Sequence, residues 1–187
     1  MKIKFSDAAS GDAFAAPVFE AKTLSEPAKA LDAASGGAVT KAMKASRFTG
    51  GAGDLLEIAA PGGVNAEKIV LFGLGKKKDL TANGVEKAVA GLVKSLLTGG
   101  VKTLSVHLEG AADLEGAARA GLGARLAGYR FDKYRTKLAD DKKPSLTAVE
   151  IIADDAKAAK NAWKDWEAVA DGVDLARDLV MEAPNVL

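Results

Sequence analysis

Apolar and polar positions change period several times along this chain, and the changes divide it into elements. Residues 2–5 and 13–19 read as two early strands separated by a turn at Ser10-Gly11-Asp12. Pro27 suits the first turn of a short helix through Ala34, because the N–H it lacks would have no partner there. After a Ser35-Gly36-Gly37 break a helical pattern resumes over residues 38–44. Residues 54–59 and 68–72 are apolar runs joined through Pro61-Gly62-Gly63, which predicts a hairpin with a loose loop. Beyond it the alternation becomes regular. Val85, Val89, Leu92, Val93 and Leu96 fall at helical spacing within residues 81–97, and Gly99-Gly100 stops that helix. A strand over 103–108, a small-residue helix over 114–127, a strand over 146–152 and a long helix from Asp154 follow.

Strand and helix in strict alternation predict an α/β fold, a three-layer sandwich whose mixed, largely parallel central sheet is covered by helices on both faces. The last helix carries Trp163, Trp166, Val169, Val173, Ala176 and Val180 every three or four residues, a stripe expected to pack. Residues 130–143 are dense in Asp, Lys and Arg before Pro144 and predict a solvated connection. The chain stops at Ala183-Pro184-Asn185-Val186-Leu187 on an apolar pair, an ending that reads as truncation.

Composition narrows the chemistry. The 187 residues include 38 alanines, 20 glycines, no cysteine and one histidine, with 26 basic against 25 acidic side chains and a formal net charge of +1. Without cysteine there is no disulfide scaffold, thiolate zinc site or cysteine nucleophile. Balanced charge gives no whole-chain attraction to nucleic acid or to an anionic membrane. The longest uncharged stretch, residues 58–66, is too short to span a bilayer, and a soluble, cytoplasmic protein is expected.

The sequence spells no convergent constellation, so no catalytic, cofactor-binding or metal-binding residue is assigned. His107 lies in the alternating Leu104-Ser105-Val106-His107-Leu108 and reads as a structural strand residue rather than a general base. Asp140-Asp141 and Asp154-Asp155 sit in a loop and a helix start, where carboxylates have ordinary reasons to be. Two glycine turns could offer amides to a phosphate, Gly36-Gly37 before a helix and Gly73-Leu74-Gly75-Lys76 after a strand, although neither matches a P-loop or dinucleotide fingerprint. Lys76-Lys77-Lys78 is too small a basic patch for nucleic acid.

Four segments, in order, resemble the N-terminal domain of the leucyl (cytosol) aminopeptidase family of two-metal exopeptidases. Phe48-Thr49-Gly50-Gly51-Ala52-Gly53-Asp54 is similar to a Phe-x-Gly-Lys-x-Gly-Glu stretch before a strand, and Val70-Leu71-Phe72-Gly73-Leu74-Gly75-Lys76 to a strand ending in Gly-Leu-Gly-Lys. Gly123 through Gly128-Tyr129-Arg130-Phe131-Asp132-Lys133-Tyr134 resembles a Gly-x-x-Leu-x-x-Tyr-x-Phe-Asp-x-Tyr segment. Residues 176–187, beginning Ala176-Arg177-Asp178-Leu179-Val180, resemble the stretch that leads into the catalytic domain. Gly51 and Met181 depart from the family pattern and take no role from it.

The resemblance implies a macro-domain-like sandwich over residues 1–153, then a helix over 154–187 linking to a catalytic domain absent from this chain. It implies that the two divalent ions, manganese or zinc, and all their ligands belong to that absent domain. The parent would be a homo-hexamer that releases N-terminal residues from peptides, with this domain aiding assembly and access. Two other readings stand beside it. A macro-like module would bind ADP-ribose or a nucleotide phosphate at Gly36-Gly37 or Gly73–Lys76, and a DNA-binding regulator is disfavoured by the charge balance.

Overall fold

The computed structural model describes residues 1–183; Pro184-Asn185-Val186-Leu187, and with them the terminal apolar pair, lie outside the described residues. The strands are β1 Lys2–Ser6, β2 Ala13–Phe19, β3 Thr23–Leu24, β4 Leu55–Ala59, β5 Lys68–Gly75, β6 Thr103–His107 and β7 Ala148–Ile152. The helices are α1 Glu26–Ala34, α2 Ala38–Ala45, α3 Ala82–Leu96, α4 Leu114–Ala127 and α5 Ala156–Met181. One sheet runs β1-β7-β6-β2-β5-β4. The first five strands of that order are mutually parallel, β4 closes the edge as the antiparallel arm of the expected hairpin, and β3 pairs antiparallel with the end of β2.

Four helix starts carry a side-chain cap. Ser25, Thr81, Asp113 and Asp155 each accept an amide three residues on, from Ala28, Gly84, Gly116 and Ala158. Each such cap contributes about 1 kcal/mol. Strand β7 begins two residues later than the apolar run, because the amides of Ser145 and Leu146 are spent on the Leu97 carbonyl at 2.9 and 3.2 Å. The two early strands, close in sequence, are not neighbours; β7 and β6 lie between them. Pro17 is tolerated in β2 because it lies beyond the three residues, Ala13 to Ala15, that pair with β6.

Each sheet face buries its own core. Ala13, Ala15, Val70, Phe72, Leu104, Val106, Val149 and Ile151 meet the apolar stripe of α3 and the small residues of α4. On the opposite face Ala16, Val18, Ile69 and Leu71 meet α1 and α2 through Leu31, Val39 and Met43. A Cβ at Gly123 would collide with the Glu86 carbonyl of α3, so glycine there sets how closely α3 and α4 approach.

Helix α5 departs from its expected role. Ala159, Trp163 and Ala170 are buried, with the Trp163 ring 6.2 Å from that of Phe5 on β1. Trp166 is half-buried, packs against the cluster of Leu122, Trp163 and Ala170, and lies under the Arg119 guanidinium of α4 at 4.4 Å from the ring centre. The later part of the stripe does not pack: Val169 is 47% exposed and Val180 83%, with Leu175, Leu179 and Met181 also open. Periodicity marks an apolar face, and nothing among the described residues covers this part of it.

Candidate functional site

The groups singled out by sequence are held apart, each by local bonds. His107 ends β6 with Nδ1 3.0 Å from a Glu109 oxygen and its ring edge-on to Phe14. Its Nε2 is buried with no protein partner. The serine two residues earlier on the strand, Ser105, is fully buried and donates its hydroxyl to Glu150 at 2.8 Å. That hydroxyl is therefore not presented as a nucleophile. Asp155 caps α5, Asp154 accepts the Gly110 amide at 3.0 Å, and Asp140 pairs with Lys143 at 2.7 Å. Among the described residues no group of three or more His, Asp or Glu side chains is arranged to hold a metal ion.

Both glycine turns have their amides committed. Gly36 and Gly37 donate to the Ala33 and Asp32 carbonyls, while the Asp32 carboxylate takes the Thr40 amide and hydroxyl at the start of α2. A carboxylate already occupies the place a phosphate would need. Gly73 and Gly75 donate to the Asp54 and Gly50 carbonyls at 2.8 and 3.0 Å. Their purpose is a backbone crossing, since a Cβ at Gly73 would overlap the Gly51 carbonyl oxygen. Asp54 fixes the crossing strand by accepting from Thr49 and Gly51, and the Thr49 hydroxyl bond holds its carboxyl below the usual carboxylate range. Lys76 lies 4.0 Å from Glu20, and Lys77 sits over the Phe19 ring.

The sheet also holds a buried polar knot. Glu150, 6% exposed, accepts from the Ser10 amide at 2.9 Å, the Ser10 hydroxyl and the Ser105 hydroxyl, and Ser105 in turn accepts the Gly11 amide. This knot straps the β1–β2 connection across the part of the sheet that α1 and α2 leave open. Its only trace in the sequence is a glutamate inside the apolar run Ala148-Val149-Glu150-Ile151-Ile152.

A second assembly gathers at the far end of α5. Arg125 of α4 spans Asp171 and Asp174 at 2.9 and 2.8 Å, and Arg177 donates to the Leu126 carbonyl while lying over the Tyr129 ring. Tyr129 donates to Asp178 at 2.7 Å; desolvation first, and this bond second, push its hydroxyl up to about 12. Lys133 donates to Glu182 at 2.6 Å, and the Tyr134 hydroxyl bonds the other oxygen of the same carboxylate. The lysine bond holds the Glu182 carboxyl low, and the Glu182 carboxylate raises both Lys133 and Tyr134. Beside this clasp Tyr129, Val173, Ala176, Arg177, Val180 and Met181 line an apolar groove of about 470 Å³.

The four segments noted in the sequence thus meet in pairs. Residues 48–54 cross residues 70–76 at Gly73, and residues 128–134 close on the last two turns of α5. Residues 15–138 match the family model described as the cytosol aminopeptidase family, N-terminal domain. The chain belongs to that family, as its N-terminal domain.

Relatives in the family agree. A probable cytosol aminopeptidase of Caulobacter vibrioides is 41% identical over all of this chain, and one of Rhizobium etli is 38% identical. The chain spans 38% of the length of each. Among solved structures a mutant of tomato leucine aminopeptidase superposes with a TM-score of 0.79, covering 100% of this chain and 39% of that one at 20% identity. The bottromycin maturation enzyme BotP superposes with a TM-score of 0.66 over 93% of this chain and 33% of its own, at 23% identity. These two likenesses concern the fold.

Proposed function

We propose that this chain serves as the non-catalytic scaffold of a cytosolic metallo-aminopeptidase, whose catalytic domain carries two divalent ions, manganese or zinc, and releases N-terminal residues from peptides with metal-activated water. The observation that carries the reading is one of coverage: the whole chain aligns with relatives of which it is little more than a third, and the family model it matches is specifically an N-terminal domain. Residues 1–153 form the scaffold, and residues 154–187 lead from it toward the catalytic domain. In the parent the domain stands at the periphery of a homo-hexamer and contributes to assembly and active-site access. The groups found here suit that role, since the polar clusters are spent on fixing backbone and helix ends.

The test is an assay of the purified chain on a leucyl-anilide substrate with added manganese or zinc. No turnover above buffer is expected. Leucine release that scales with protein concentration and disappears with chelator would overturn the reading.

A further inference from the structure

Gly121 and Gly123 leave no room for a side chain, but Gly84, in the first turn of α3, does: an added Cβ would meet only Thr81 Oγ1 at 3.4 Å and Leu80 at 3.7 Å. The backbone there is helical, so neither crowding nor conformation asks for glycine, which weakens the helix. What glycine does provide is an unshielded amide directly after Asn83. Of the four asparagines, Asn65, Asn83, Asn161 and Asn185, only Asn83 precedes a glycine. Its side chain is exposed, and the carboxamide oxygen lies 3.5 Å from Arg119 Nη2. Glu86 and the Trp166 ring hold that guanidinium in place. A cation against the carboxamide oxygen draws electron density from Cγ, and it would pair with a carboxylate formed there. The first turn of α3 has no acidic residue, although a helix N-terminus favours negative charge.

We propose that Asn83-Gly84 is a self-modifying site. The Gly84 amide nitrogen, once its proton is lost, attacks Asn83 Cγ; the carboxamide C–N bond breaks, and the nitrogen leaves as ammonia. Water opens the cyclic imide that results and leaves an aspartate, or its β-linked isomer, at position 83. One water is taken up and one ammonia released, with no other reactant. In the closed helix the reaction is held off, because the Gly84 N–H is donated to Thr81 Oγ1 at 3.1 Å and points back along the helix rather than toward the neighbouring side chain. The cap is therefore the gate, and each fraying of the first turn frees the amide. Conversion places a negative charge between the start of α3 and Arg119, and takes the formal charge of the chain from +1 to zero.

The test holds the purified chain at neutral pH, measures released ammonia, and follows the amide-to-acid change at residues 65, 83 and 161 by peptide mass mapping. Conversion is expected at residue 83 ahead of the other two. Thr81→Ala should speed it about fivefold, the increase in opening expected when one cap is lost. Gly84→Ala should abolish it while the chain stays folded, since the position has room for a methyl. An Asn83→Asp chain should melt above the unsubstituted one, by a margin that shrinks as salt is added. If Asn65 or Asn161 converts while Asn83 does not, the inference is overturned. Equal rates at residue 83 with and without Thr81→Ala would also overturn it, because the cap would then gate nothing.

Discussion

Ser105 is fully enclosed, and three groups depend on its hydroxyl: Glu150, which accepts from it, and the Ser10 and Gly11 amides, which donate to it. Ser105→Ala would leave the buried Gly11 amide without its acceptor and take one donor from Glu150, which keeps the Ser10 amide and hydroxyl, and a loss of about 1–3 kcal/mol is expected on urea unfolding. Glycines divide by what surrounds them. At Gly73 an added methyl meets the Gly51 carbonyl, and Gly73→Ala should cost about 1–3 kcal/mol. At Gly172, within α5 and with nothing within 4 Å, alanine should stabilise by about 0.5–1 kcal/mol. Opposite signs for the same substitution, read from paired melting curves, check both assignments. Sequence alone could not separate these cases, because a glycine letter carries no information about which carbonyl passes over it.

At the scale of elements, the clasp at the end of α5 has a defined pH window. Tyr129, Tyr134 and Lys133 all have folded-state values above their ordinary ones. Their contribution is complete below about pH 10 and is lost as pH rises, for Tyr129 between about 10 and 12. Glu182 runs the other way: its value is lowered, so its contribution is present above the ordinary glutamate range and lost as pH falls through the lowered value. The chain has only two tyrosines, so near-ultraviolet titration of the folded protein should show both phenols ionising above the ordinary tyrosine value, with Tyr129 near 12. A Tyr134→Phe variant isolates Tyr129; a phenol ionising at its ordinary value in that variant would mean that Tyr129 is neither desolvated nor bonded to Asp178 as described.

Elements with a full apolar period are legible in the sequence. α3, α4 and the β4–β5 hairpin lie where the spacing of Val85 to Leu96, the small-residue pattern of residues 114–127 and Pro61-Gly62-Gly63 predict them. Strand β3 was not legible, because two residues carry no period. The stripe of α5 was legible as apolar but not as open, since spacing reports which residues share a face and is silent on what lies opposite. The glycine turns looked like anion cradles for a related reason: free and committed amides are spelled alike, and only the placement of Asp32, Asp54 and Gly50 tells them apart.

For the whole molecule, the two cores of the sheet and the small satellite around Trp163 give a body that ends, structurally, at Ala170. The eleven helical residues after it contribute to the surface rather than to a core. Cutting the chain after Ala170 should therefore cost far less stability than cutting before Trp163, which would remove the ring packed on Phe5 and against Gly121. Thermal melts of the two shortened chains compare these directly, and near-equal losses would count against the division.

A single rigid rod that begins inside one body and continues past it also behaves as a gear. Each residue of α5 turns the remainder by about 100° and advances it about 1.5 Å. One alanine inserted between Ala170 and Asp171 would swing Asp171, Asp174, Asp178 and Glu182 together away from Arg125, Tyr129 and Lys133, leaving every side chain chemically intact and the core before Ala170 untouched. Composition at this junction can drift, but its residue count is locked in phase with the body behind it.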